Sequence, residues 1–146
     1  MTNVLSNLIF SSIGIKNSFD IITTSFGLLS KTTKAIVRTN NHNKIDVAEF
    51  ILSSDIVFKI DVIEGHLIEI NSNKNSTKLL IEVIEGLNNT LSLIKNEMIN
   101  LNESMQYNKN SFLGFRKKDT DKSIILLEKL LKILDSRFIL LKQISQ

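Results

Sequence analysis

Few side chains in this chain could bind a metal ion or transfer a proton. Histidine occurs twice, as His42 and His66, and His66 precedes Glu69 by three residues, which would place both on one helix face. A di-iron or di-manganese centre in a helical bundle needs Glu-x-x-His on two helices, and this chain contains no such motif. We therefore predict no metal site and interpret His66 as a solvated or partly buried side chain.

Other forms of catalysis and cofactor binding find no better support. Asp61 and Glu64 lie one helical turn apart and could share a proton, but their surroundings are acidic and favour solvated charges. Met98 and Met105 fit the role of core residues better than that of haem ligands. No serine stands in a Gly-x-Ser-x-Gly turn, the five glycines are isolated, and cysteine is absent. We predict a protein that is not an enzyme, with no cofactor and no small-molecule substrate.

Apolar side chains recur with helical spacing along the whole chain, and residues 80–105 show this most clearly. There the apolar residues follow one another at steps of three and four over seven turns, a period that only a long amphipathic helix keeps. Proline is absent, so nothing in the sequence must break a long helix. The members of this row, the third seam, are Leu80, Ile84, Leu87, Leu91, Ile94, Met98, Leu101 and Met105.

Three further blocks carry the same period and are separated by polar linkers. The predicted helices span residues 2–38, 46–70, 76–107 and 121–144. The second seam is Ile45, Ala48, Leu52, Ile56, Ile60, Ile63, Leu67 and Ile70. The fourth helix has two seams, one of Ile124, Leu127, Leu131, Leu134, Phe138 and Leu141, the other of Leu126, Leu130, Ile133, Leu140 and Ile144. A helix with two seams should be the most buried of the four. The sequence thus predicts one all-α domain, an antiparallel up-down-up-down four-helix bundle that could also dimerise.

Charge is distributed unevenly between the predicted helices. Residues 46–70 carry six acidic side chains and one lysine, whereas residues 116–146 carry eight basic and four acidic ones. Opposite charges at the edges of helices select neighbours, so the second helix should pack beside the fourth or the first. The basic patch over residues 116–132 could also bind nucleic acid weakly. The net charge of +3 and the acidic second helix argue against that use.

Two segments suggest contact with a membrane. The loop between the third and fourth helices places aromatic residues beside three cations, as in an anchor for anionic lipid. The loop residues are Phe112, Leu113, Phe115, Arg116, Lys117 and Lys118. The first helix is apolar and uncharged over its first fifteen residues, but Lys16 and Asp20 make it unsuitable as a permanent membrane span. The alternative for the loop is that its phenylalanines close the end of the core.

In outline the chain resembles the membrane-permeabilising four-helix bundles of cell-death executors, the HeLo and mixed-lineage-kinase-like group. The resemblance rests on helix order and on the hydrophobic first helix, without a shared motif. It implies a bundle that exposes or inserts its first helix into a bilayer. The inserting residues would be Leu5, Leu8, Ile15, Phe19, Ile22 and Phe26.

The function that the sequence favours is a non-enzymatic interaction module, an adaptor or oligomerisation domain that acts through protein contacts. The absence of site chemistry beside four long apolar seams is the reason. A protein partner or self-association is expected, and an anionic membrane is the alternative partner. We expect a cytoplasmic location, because the chain lacks cysteine and its start has neither the basic region nor the cleavage site of a signal peptide.

Overall fold

The computed structural model describes Asp20, Thr24 and residues 47–72, 77–110 and 118–145. These residues are all-helical, and no strand occurs among them, which confirms the predicted all-α class. The helices are α1 (Val47–Ser54), α2 (Ile56–Ser72), α3 (Lys78–Asn110) and α4 (Asp121–Ile144). Asp20 and Thr24 are helical and exposed. The rest of the predicted first helix lies outside the described residues.

Helix α3 buries its seam as the sequence predicts. All eight members of the third seam are at most 4% exposed, and Leu91 at the centre is completely buried. The helix begins after Thr77, whose Oγ1 accepts a hydrogen bond from the Leu80 N–H at 3.1 Å and caps the first turn. An uninterrupted period in the sequence has therefore produced one continuous buried row from Leu80 to Met105, within a helix of 33 residues.

The predicted second helix is wrong in one respect, because the structure divides it at Asp55. In α1 the buried side chains are Val47, Phe50 and Ser54, and in α2 the first buried one is Ile56. A step of two residues does not fit a helical period, so one continuous helix could not bury both rows. Asp55 resolves the conflict with φ 49°, in the left-handed region that aspartate enters more readily than most residues.

The break also changes which side of the first part faces the core. Leu52, a predicted seam member, is 84% exposed. The five seam members after the break are each at most 5% exposed: Ile56, Ile60, Ile63, Leu67 and Ile70. The predicted seam is therefore confirmed in α2 and wrong at Leu52. Ile45 and the side chain of Ala48 lie outside what the structure describes.

Helices α3 and α4 form an antiparallel hairpin. Near the turn, Asn108 exchanges two hydrogen bonds with the backbone of Lys118, at 2.7 and 2.9 Å. Further along, Thr90 of α3 bonds to Arg137 of α4. Residues that lie earlier on α3 therefore meet residues that lie later on α4, and the hairpin supplies most of the shared core.

Helix α2 packs beside α4 and runs parallel to it. Lys59 forms a 3.0 Å ion pair with Asp135, and His66, two turns later, bonds to Ser145 beyond the end of α4. Of the two neighbours predicted for the second helical block, the fourth block is one that these contacts show. The signs of this ion pair, however, are the reverse of what the net charges suggest. The lysine belongs to the mainly acidic second block and the aspartate to the mainly basic fourth block.

Helix α4 buries its first seam but not its second. Five members of the first seam lie in the core, and Phe138 packs against it partly buried. In the second seam Leu126, Ile133 and Leu140 are 42–43% exposed, although Leu130 is buried. The prediction that this helix is the most buried is thus wrong. The neighbours of α4 in the described part of the chain, α3, α1 and α2, cover the side that carries the first seam, and the side with Leu126, Ile133 and Leu140 stays exposed.

Candidate functional site

The open side of α4 carries a regular apolar row with lysines beside it. Leu126, Ile133 and Leu140 follow one another at intervals of seven residues, which places them in line along the helix. Lys122 and Lys129, both exposed, occupy the alternate turns of the same side. We call Leu126, Ile133 and Leu140 the α4 outer row. This row is therefore apolar along its length and is flanked by two cations.

Arg137 lies on the same side, four residues after Ile133, and reaches across to α3. Its Nη1 donates hydrogen bonds to the backbone oxygen of Gly86 and, at 2.6 Å, to Oγ1 of Thr90. The Thr90 hydroxyl in turn donates to the Gly86 oxygen at 3.0 Å. A Cβ at Gly86 would stand 3.6 Å from this Nη1, so the guanidinium lies directly over a residue that has no side chain. The arrangement ties the two helices together.

The contact with Gly86 identifies the side of α3 that borders the α4 outer row. Gly86 is followed at steps of four, three and four by Thr90, Leu93 and Glu97, so the four residues share one face of α3. Leu93 is 55% exposed and Glu97 is partly buried. The antiparallel register set by Thr90 and Arg137, extended by one turn, puts Leu93 level with Ile133. A second turn puts Glu97 level with Lys129. We call the cleft between this α3 face and the α4 outer row the α3–α4 groove.

A second exposed apolar surface occurs on α2, and its charge is opposite. Phe58, Val62 and Ile68 are 62%, 42% and 63% exposed. Asp61 and Glu69 stand exposed among them. We call this the α2 outer side. The α4 outer row and the α2 outer side thus differ in the charges beside them, lysines in the first and carboxylates in the second. They are not the whole of the exposed apolar surface in the described part of the chain, since Ile125 and Ile139 of α4 are 44% and 52% exposed.

His66, which was considered as a metal ligand, contacts residues of α2 and of the end of α4. His66 Nε2 and Ser145 Oγ are 3.0 Å apart, and its Nδ1 lies 3.9 Å from a Glu69 carboxylate oxygen. The ring also packs edge-on against Phe138, with centroids 5.6 Å apart. These contacts join α2 to the end of α4. Within the described ranges no group of three or more histidine or carboxylate side chains could hold a metal ion.

Most of the predicted membrane-contact residues lie outside the described ranges. This is true of Phe112, Leu113, Phe115, Arg116 and Lys117, and of the six predicted inserting residues of the first helix. Lys118 is described and exposed, and its ammonium lies 4.9 Å from the centre of the Tyr107 ring. None of the helices in the described part is long and apolar enough to cross a bilayer.

Arg137 and Gly86 were not singled out by the sequence reasoning. The signal that could have found Arg137 is its position, since it occupies the one polar place in an otherwise apolar second seam of α4. Gly86 gave a weaker signal, an isolated glycine within a long helical pattern, which often marks a close approach of another group. Only the structure shows that the two positions meet.

Comparison with models of protein families, with curated proteins and with solved structures finds no match to this chain.

Proposed function

We propose that the protein is a non-enzymatic helical-bundle interaction module, an adaptor or oligomerisation domain that works through protein contacts. The observation that carries this proposal is the α3–α4 groove, where large apolar side chains stay exposed in a regular row between charged residues. Exposed apolar surface of this kind costs free energy unless another surface covers it. Leu93 and the three members of the α4 outer row would be covered by a bound partner.

The finer fold that we propose is an antiparallel four-helix bundle, in which α1 and α2 together form one member and residues 2–38 supply the remaining one. Residues 2–38 carry four basic side chains and one acidic one, Asp20. They complement the α2 outer side, where Asp61 and Glu69 border Phe58, Val62 and Ile68. Docking there would cover this apolar surface and leave the α3–α4 groove open for a partner.

A second candidate function is contact with an anionic membrane. The lysines that alternate with the α4 outer row favour it, because basic amphipathic helices bind such surfaces.

The proposal is tested by comparing two variants of the full chain in an affinity capture from the source cells, with light scattering of the purified protein. Ile133→Asp places a charge in the groove, whereas Leu52→Asp places one at a fully solvated position outside it. We expect a partner or self-association that survives Leu52→Asp and is lost with Ile133→Asp. A monomer without a specific partner would contradict the proposal. Flotation with anionic vesicles in low salt, lost with Ile133→Asp, would instead favour the membrane function.

A further inference from the structure

We infer that the α3–α4 groove binds an acidic amphipathic helix of a partner protein, an inference that rests on the proposed function and names its partner. The groove supplies three features that together select such a helix. They are apolar side chains at heptad spacing, lysines between them, and an arginine on the inner edge.

The spacing of the apolar residues selects a helix as the binding element. Leu126, Ile133 and Leu140 repeat every seven residues, and Leu93 adds an apolar contact from the opposite edge. A helix laid along this cleft meets them with its own side chains at alternating steps of three and four. Helix α4 is 24 residues long, about 36 Å, which accommodates roughly six turns of a partner helix.

The charges select an acidic helix. Lys122 and Lys129 are exposed beside the row, where they would flank the bound helix. Arg137 is partly buried and uses Nη1 for its two bonds to α3, and its Nε and Nη2 have no hydrogen-bond partner in the described part of the chain. A carboxylate on the bound helix could reach that free edge and form a charge-assisted hydrogen bond.

Other occupants fit less well. Residues 2–38 have a net positive charge, so the basic groove would repel them. A second copy that placed its α4 outer row on this one would bring together the lysines beside the two rows, Lys122 and Lys129 of each copy. A nucleic acid backbone presents phosphates and sugars to a protein, so it would leave the apolar side chains of the α4 outer row uncovered.

The test uses the full chain and a fluorescent synthetic peptide of about 21 residues, the length of six helical turns. The acidic probe has leucine or isoleucine at the a and d positions, glutamate beside them and alanine elsewhere, and the control probe has lysine in place of each glutamate. Fluorescence anisotropy measures binding of both. We expect the acidic probe to bind at least about tenfold more tightly, and its affinity to fall as salt is raised.

Variants of the chain locate the bound probe. Ile133→Asp should weaken binding of the acidic probe by about tenfold or more, and Lys129→Glu by about fivefold, while Leu52→Asp should leave it unchanged. Circular dichroism confirms that each variant keeps its helices. Equal binding of the two probes, no binding at all, or binding that is insensitive to Ile133→Asp would overturn the inference.

Failure of this inference differs from failure of the proposed function. In one outcome neither probe binds, but the unchanged chain captures a protein that the Ile133→Asp variant does not capture. The groove is then an interaction surface, but its partner is not an acidic helix. Should anionic vesicles bind through Ile133 and Lys129 while the acidic probe does not, the ligand is a membrane, and the inference is wrong. Binding of the acidic probe with all three variant effects supports it.

Discussion

Helix α3 and residues 47–72 have the same kind of sequence pattern, but the first is one continuous helix and the second is divided into two. Both carry apolar residues at helical spacing, and neither contains proline. In α3 the buried side chains keep one phase from Leu80 to Met105, and the helix is continuous. Between Val47 and Ser72 the buried rows change phase, and the chain breaks at Asp55.

The comparison teaches that the phase of an apolar row matters as much as its period. An apolar row in the sequence can seem to continue across a helix break when one of its residues is in fact exposed, as Leu52 is. The better row in that region runs through Val47 and Phe50, and it does not connect to Ile56 at a helical step. A change of phase beside an aspartate is therefore a sign of two helices rather than one.

The largest effect is expected at the centre of α3. Leu91→Ala removes a fully buried side chain and should lower the free energy of unfolding by about 2 to 5 kcal/mol. Chemical denaturation followed by circular dichroism measures the loss. The matched control Leu93→Ala, at a 55% exposed position one half-turn away, and Asn89→Ala, at an exposed one, should both be nearly neutral. Equal losses at Leu91 and Leu93 would show that the register of α3 is wrong.

The break at Asp55 offers the next test. Asp55→Val should destabilise the protein by about 1 to 3 kcal/mol, because a β-branched residue is strained at positive φ. Asp55→Gly removes that strain and should be neutral or slightly stabilising. Denaturation midpoints of the two variants make the comparison. A stabilising effect of valine would mean that α1 and α2 are one helix after all.

The bond between α3 and α4 is expected to contribute less. Arg137→Ala removes the donor that binds the Gly86 oxygen and Thr90 Oγ1, and should cost about 1 to 2 kcal/mol. The Thr90 hydroxyl keeps its own bond to Gly86, which limits the loss. Lys132→Ala, at an exposed position on the same helix, is the control and should leave the free energy of unfolding unchanged. No difference between the two variants would argue against this contact.

The smallest effect is expected in α2. Gly65→Ala should stabilise the protein by about 0.5 to 1 kcal/mol, because the position is helical and exposed and a Cβ there meets no atom within 4 Å. Thermal unfolding would show the gain as a higher midpoint. A loss of stability would mean that the proposed docking of residues 2–38 on the α2 outer side brings them within contact distance of position 65.

Much of this architecture could be predicted from the sequence. The all-α class and the course of α3 followed from periodicity, which depends on residues close together in sequence. The charges of the helical blocks had left two neighbours open for the second block, and the one ion pair described between α2 and α4 has the opposite signs to those expected. The break at Asp55 depends on which of two overlapping apolar rows is buried, the row with Leu52 or the row with Val47 and Phe50. The bond from Arg137 to Gly86 joins residues 51 positions apart, and only the hairpin register brings them together. The proposed site was overlooked because the second seam of α4 was expected to be covered.

The central claim is that one side of α4 lies in the core and the other is free to bind. Ile133 and Leu134 are neighbours in sequence, yet Ile133 is 42% exposed and Leu134 completely buried. Because the chain has no cysteine, Ile133→Cys and Leu134→Cys each introduce a single thiol whose rate of alkylation reports its exposure. We predict near-solvent reactivity at position 133 and strong protection at position 134. Strong protection at both positions, or at neither, would contradict the account.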